Sequence, residues 1–328
     1  MPRLIHSLKD FPDELRGGAV AIGNFDGVHR GHGQLVRELV AQAQNITAQN
    51  ITAQNITAQN RPAIVFTFDP PPIAILSPMR AHSAPLTDIA RRAELLHKLG
   101  VDLVVAYPTD MALLRLTAEE FFQKVLLDTF AARVIVEGPN FRFGHDRLGD
   151  VAMLGRLCET NGLSLAIVPA ANDEAGMISS TRVRELINAG NIAGANELLT
   201  QPYQIVGQVG HGAARGRTIG APTANLTKIR VLVPPHGVYA GCVPMGEQVY
   251  PAAIHVGPNP TFHDDSVKVE VHLIDWRGEL YNTQLACTFL ERLREVRKFL
   301  SPAELQSQIA SDIESCRAIF KKYVAEGR

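Results

Sequence analysis

Cysteine is scarce in this chain, and the four present, Cys158, Cys242, Cys287 and Cys316, are scattered with no Cys-x-x-Cys among them. Reduced, unpaired thiols in the cytosol are the simplest reading of that spacing. Long apolar runs are missing too. The opening Met1–Asp10 holds no stretch suited to a signal peptide and no segment approaches a membrane span, so a soluble, cytoplasmic protein is expected. Surplus charge is also lacking: the net charge of −1 argues against general nucleic-acid binding, which relies on a strong basic excess. A Gly-x-Gly-x-x-Gly dinucleotide fingerprint is absent.

What is present is an ordinary globular composition, 46% hydrophobic and 20% charged, in 328 residues, enough for two domains with separate cores. Up to about residue 190 the chain alternates apolar runs (Val20–Ile22, Ala63–Phe68, Leu103–Ala106, Arg133–Val136, Leu165–Val168) with helical patterns over 31–44, 88–99, 117–131, 149–161 and 180–189. That order predicts an α/β domain with a doubly wound parallel sheet and ligands at the carboxyl ends of its strands. Residues 191–202 are expected as a linker. From Tyr203 onward, Gly- and Pro-punctuated strands at Gln204–Val209, Val238–Val243, Gln248–Val256, Lys268–Asp275 and Leu285–Arg292 predict a small antiparallel barrel. Leu300 to Val324 reads as a terminal helix, with Ser301 as cap, Pro302 at the first position and Glu304 at the capping-box position. Between Asn45 and Asn60, Asn-Ile-Thr-Ala-Gln recurs in three perfect copies. A period of five matches neither helix nor strand, so this insertion is either a frayed helix extension or a solvated loop.

Three segments carry the chemistry. Ala21-Ile-Gly23-Asn-Phe25-Asp26-Gly-Val-His29-Arg-Gly31-His32 runs from a predicted strand through a tight turn into a helix. Free N–H groups and the positive end of a helix dipole gather there, and His29 and His32, three apart, can both donate to an anion. A metal pair is the weaker reading, since no Cys or carboxylate stands nearby at ligand spacing. Ser179-Ser180-Thr181-Arg182-Val-Arg184 opens another helix, where hydroxyls and guanidinium groups suit phosphate, although Ser-Ser-Thr alone would be a plain helix cap. In the second half, the basic flap Gly210–Gly220, with Gly216, Arg217 and Gly220, runs into Pro222-Thr223-Ala-Asn225. Glycines let backbone N–H groups approach phosphate, and Thr223 and Asn225, two apart on an extended segment, can turn both oxygens toward one Mg²⁺.

Gly23–His32, Ile178–Arg184 and Pro222–Asn225, taken together and in this order, resemble the bacterial bifunctional riboflavin kinase/FAD synthetase family, and the similarity runs over nearly the whole chain. The resemblance implies an adenylyltransferase module of the nucleotidyltransferase superfamily over 1–190 and a riboflavin kinase module over 203–328. Implied substrates are riboflavin, FMN and ATP, with Mg²⁺; no nucleic acid or membrane is expected, and the oligomeric state is left open. It places ATP against Gly23, Phe25, Asp26, His29, Gly31, His32, Ser180, Thr181 and Arg184 in the first step, with Asn140 as a polar contact. It makes Glu270 the catalytic glutamate of the kinase, with nucleotide at Gly216, Arg217 and Gly220 and metal at Thr223 and Asn225. Asp69 and Arg294 are the implied flavin contacts. Departures from the family pattern include Asn259 before Pro-Thr-Phe, and Asn282 where a glycine is usual after Leu-Tyr. Asparagine tolerates positive φ, so Asn282 can replace that glycine at small cost. An enzyme active in only one module, or a non-catalytic flavin- or nucleotide-binding regulator, are the alternatives.

Overall fold

The computed structural model describes residues 3–52, 61–77, 84–210, 222–259 and 264–327. Contacts group the chain into one unit of 1–83 with 89–179 and a second of 84–88 with 180–328.

The first unit is built on a parallel sheet of β1 (Arg3–Ile5), β2 (Ala19–Ile22), β3 (Ala63–Phe68), β4 (Leu103–Tyr107), β5 (Val134–Glu137) and β8 (Ser164–Ile167), in the order β1-β4-β3-β2-β5-β8. Strands β2, β3, β4 and β5 read as nearly continuous apolar runs because both faces are covered. Val20, Ile22, Ile64, Phe66, Val105 and Ile135 point into one core, while Ala19, Ala21, Val65, Val104 and Val136 point into the other. Chain direction across the sheet reverses between β2 and β5, the crevice where ligands of such folds bind. Two short ribbons, β6 (Arg142–Phe143) with β7 (Gly149–Asp150) and β9 (Asn172–Asp173) with β10 (Gly176–Met177), lie in the connections after β5 and β8.

Helix α1 (Arg30–Thr52) lays Val36, Leu39 and Ala43 on the second core and carries on through Asn45 into the repeat. The first Asn-Ile-Thr-Ala-Gln copy therefore extends the helix, with Ile46 packed beside the core, while 53–60 lie outside the described residues. Helices α2 (Pro72–Leu76), α3 (Ile89–Lys98), α4 (Met111–Leu114), α5 (Ala118–Phe121, continued as a π-helix over Phe122–Thr129) and α6 (Val151–Asn161) complete the α/β alternation. A capping box of Thr117 and Glu120 opens α5.

Beyond residues 84–88, the second unit consists of the chain from α7 (Ser180–Asn188) and α8 (Ile192–Leu198) onward, so the stretch expected as a linker holds a helix. Asn196 of α8 donates to the carbonyls of Phe289 and Leu290 and accepts from the Tyr203 N–H, tying it to the barrel. The closed antiparallel barrel runs β11-β12-β15-β14-β13-β16, with β11 (Gln204–Gly210), β12 (Ala224–Thr227), β13 (Gly237–Met245), β14 (Gln248–Asn259), β15 (Asp264–Leu273) and β16 (Gln284–Arg294). Asn282 has φ 62°, the left-handed conformation for which asparagine substitutes for glycine. The C-terminal helix Pro302–Ala325 is capped by Ser301, whose hydroxyl accepts the Glu304 N–H, and the Glu304 carboxylate accepts the N–H of Leu300. All four cysteines are buried free thiols, and burial pushes Cys158 and Cys242 to about 11 and Cys316 to about 12.

Candidate active sites

At the C-terminal end of β2 the backbone makes a turn that few residues tolerate. Phe25, Gly27 and Val28 all have positive φ (48°, 79° and 43°), and a β-branched valine there stores strain of the kind that gathers at functional sites. The turn delivers His29 to the start of α1. Its carbonyl accepts the Gly33 N–H (2.9 Å) and its Nδ1 accepts the His32 N–H (3.3 Å), so His29 caps the helix with its own ring. With Nδ1 accepting, hydrogen bonding assigns the proton to Nε2 and makes that nitrogen a donor. The His32 ring stacks on His29, centroids 3.7 Å apart and planes 19° from parallel, with Phe25 at 5.1 Å on His32. Gly31 permits this stack, because a Cβ there would lie 3.1 Å from the His29 ring; at Gly23 it would lie 3.1 Å from Phe25.

Both imidazoles are neutral near pH 7. Burial lowers His29 from 6.5 to about 4 against the opposing pull of Asp26, and burial, then His29, then Arg92 hold His32 well below its usual value. A neutral imidazole keeps one N–H to donate, so any positive charge here comes from the helix start rather than from the rings. Stability carries the mark of this. Below pH 6.5 an unfolded chain would bind protons that the folded site refuses, so stability falls as pH drops from 6.5 toward 4. His29 alone contributes roughly 3 kcal/mol to that loss. Urea titrations of the wild type from pH 7 to pH 4 should show it, and His29→Gln should flatten the slope.

One pocket gathers Gly23, Phe25, His29, Gly31, His32, Glu137, Asn140 and Ile178. Asn140 is exposed at its rim, and Phe141 and Phe143 stack on each other at 5.5 Å against the core. Asp26 faces Arg92 at 3.5 Å, with both side chains nearly buried. Arg92 also reaches toward Thr67 Oγ1 and the Phe68 carbonyl, at 3.4 and 3.5 Å. Asp69 is exposed just past the end of β3, outside the residues that line this pocket. Ser180, Thr181 and Arg184 stand on the first turns of α7, grouped with the second unit, and Arg184 Nη1 donates to the Ser180 carbonyl at 3.4 Å.

A separate pocket in the barrel is lined by Thr223, Asn225, Trp276, Arg277, Gly278 and Tyr281, among others. Ala224 and Leu226 turn inward while Thr223 and Asn225 turn outward, as the alternation of an extended segment requires. Glu270 is the direct partner of Asn225 across β12–β15 and of His255 across β15–β14. It is only 19% exposed, with His255 Nδ1 3.9 Å from its Oε2. His272 bonds the Pro222 carbonyl through Nδ1 at 2.8 Å and so fixes the segment entering Thr223. Arg294 forms a fork on Asp312 of the terminal helix, with Nε 3.1 Å from both oxygens and Nη2 2.8 Å from Oδ2. Gly216, Arg217 and Gly220 of the flap lie outside the described residues.

Arg92, Asp312 and Trp276 were not singled out by sequence reasoning, and Glu137 entered only as the first residue of the loop that carries Asn140. Arg92 lies in an Ala-Arg-Arg-Ala-Glu helix pattern where arginine reads as solvated, and Glu137 ends the apolar run Val-Ile-Val. Trp276, the one tryptophan of the chain, comes just after the predicted strand Lys268–Asp275.

Comparison with known proteins agrees with the division into two units. Residues 11–182 match the family model of FAD synthetase, and residues 199–320 match that of riboflavin kinase. The bifunctional riboflavin kinase/FMN adenylyltransferase of Escherichia coli K12 is 34% identical, with 97% of each chain covered. Its Pseudomonas fluorescens counterpart is 32% identical over the same shares. A crystal structure from Streptococcus pneumoniae described as a macrolide-efflux protein covers 96% of this chain and 98% of its own, at 32% identity and a TM-score of 0.79. Among the described residues no helix of this chain is long and apolar enough to cross a membrane. The chain belongs to the bifunctional riboflavin kinase/FMN adenylyltransferase family.

Proposed function

We propose that the chain converts riboflavin to FMN in its barrel unit and FMN to FAD in its α/β unit, consuming one ATP at each step. The observation that supports this reading best is that each unit holds its own polar constellation, the stacked His29/His32 pair at a helix start and the Asn225–Glu270 pair across a barrel ladder.

In adenylyl transfer an FMN phosphate oxygen attacks the α-phosphorus of ATP in line, and pyrophosphate leaves. No side chain has to form a bond. The N–H groups at the start of α1 and the imidazoles of His29 and His32 stabilise the oxygens on which charge builds. Gly23, Phe25 and Gly31 shape the wall, Asp26 anchors the turn through Arg92, and Asn140 contacts the ligand at the rim. Ser180, Thr181 and Arg184 form a further phosphate-holding helix start.

In the kinase step the ribityl hydroxyl attacks the γ-phosphorus and ADP leaves, with Glu270 taking up the hydroxyl proton. The hydroxyl of Thr223 and the carboxamide oxygen of Asn225 are hard donors suited to Mg²⁺, which favours all-oxygen ligands shared with nucleotide phosphates. When bound, that ion neutralises phosphate charge. Gly216, Arg217 and Gly220 are assigned to the nucleotide, and Asp69 and Arg294 to flavin. Binding flavin at Arg294 requires the ligand to share or displace Asp312.

The test is to incubate the purified protein with riboflavin, ATP and Mg²⁺ and separate flavins by chromatography over time. FMN should rise first and FAD follow it. FMN alone would limit the chain to the kinase, FAD only from supplied FMN would limit it to adenylyl transfer, and no product would overturn the enzyme reading. Emission from Trp276 should change on adding MgATP, since that ring lines the kinase pocket.

A further inference from the structure

The ladder between β2 and β5 stops early. Strand β2 pairs with β3 along its whole length, from Ala19↔Ala63 to Ile22↔Phe66, and β5 pairs with β8 from Val134 to Glu137. Between β2 and β5 only Ala19↔Val134 and Val20↔Ile135 remain in register. The next N–H of β2 on that side belongs to Ile22, since Gly23 donates to Phe66 of β3. The Ile22 N–H donates instead to Glu137 Oε1 at 2.7 Å. A side chain thus stands where a backbone carbonyl would continue the sheet. It is 2% exposed, lines the pocket of His29 and His32, and lies where the chain reverses across the sheet.

We propose that Glu137 is a positioning residue for adenylyl transfer: its carboxyl splints β2 and β5 apart at their carboxyl ends, sets the width of the crevice, and holds the point from which the Gly23–His32 turn departs. This rests on the reading of the α/β unit as the adenylyltransferase. The splint is an acceptor for the Ile22 N–H, and it needs length and an oxygen more than it needs charge. Burial, which outweighs the opposing backbone N–H groups, raises the carboxyl well above its usual range, in keeping with an uncharged splint. An apolar residue of similar size leaves the Ile22 N–H buried without a partner and lets the strand ends shift. A displacement of about 1 Å at His29 and His32 costs about 100-fold in rate.

Three variants test this, each assayed for FMN→FAD and for riboflavin→FMN, with hydrogen exchange followed at the Ile22 amide. Glu137→Gln keeps an oxygen at the same reach and should retain adenylyl transfer within about threefold, with Ile22 still protected. Glu137→Leu should lose about 100-fold in kcat, with a smaller change in KM for ATP, fast Ile22 exchange and unchanged riboflavin phosphorylation. Should the leucine variant unfold the first unit, Glu137→Asp replaces it: the carboxyl is retained but falls short of Ile22, and a loss of about tenfold is expected. Wild-type rates in the leucine variant, or in the aspartate variant when that replaces it, would overturn the proposal. So would a glutamine variant as poor as the leucine one, since the requirement would then be the ionisable group. Wild-type protein that makes no FAD would refute the adenylyltransferase reading itself, a result distinct from either.

Discussion

Replacing His32 by alanine should stop conversion of FMN to FAD while riboflavin is still phosphorylated at the wild-type rate. The imidazole lies beneath His29 and beside Phe25, at the start of the long helix α1. Its Nδ1 is buried and finds no hydrogen-bond partner among the described residues. A buried polar atom left without a partner costs about 1–3 kcal/mol, a penalty that an arriving phosphate group can relieve. Removing one donor directed at transition-state charge lowers kcat by about two to three orders of magnitude. Because the ring is held neutral, the loss should be nearly the same at pH 7 and pH 8.5. Flavin chromatography with FMN supplied, and separately with riboflavin supplied, measures both halves.

Asn225→Ala should do the reverse, abolishing FMN formation while supplied FMN is still adenylylated. Asn225 projects outward from β12 beside Thr223, and its backbone pairs with Gly210 on one side and Glu270 on the other. Alanine keeps those ladder bonds, so the barrel persists. What disappears is a carboxamide oxygen at the position where Mg²⁺ and ATP phosphates are expected to meet. Loss of an outer partner of a metal site costs 10–100-fold, so a direct ligand should cost at least about 100-fold. A parallel fall in kcat for FMN formation, with the Trp276 emission response to MgATP weakened, would show the site itself to be impaired.

Much of this architecture was legible in one dimension because its determinants are local. Five of the six sheet strands are apolar runs, and Asn282 announced a positive φ by occupying a glycine's place. The alternation Val269-Glu270-Val271-His272-Leu273 separated barrel interior from exterior. Strand β1 left no comparable signal, since Arg3–Ile5 is short and partly exposed and is defined only by pairing with β4. The same holds for Arg92 and Glu137. Each is a charged residue in a stretch whose pattern says "helix face" or "strand end", and its burial depends on partners 66 and 115 positions away, Asp26 and Ile22. Glu270 shows the converse: alternation placed it outside the barrel, yet neighbouring strands cover four-fifths of it. Arg294 was legible as a cation but not as one engaged by Asp312, eighteen positions later on another element.

Mixing the two single variants offers the most direct test that the chain runs two steps at two independent sites. The His32→Ala and Asn225→Ala proteins, each first shown to keep its own half-reaction, are combined with riboflavin, ATP and Mg²⁺. FAD should form, because FMN released by the first protein is adenylylated by the second. If both half-reactions survive separately and the mixture still yields no FAD, or if either substitution removes both products alone, the two sites do not act as described.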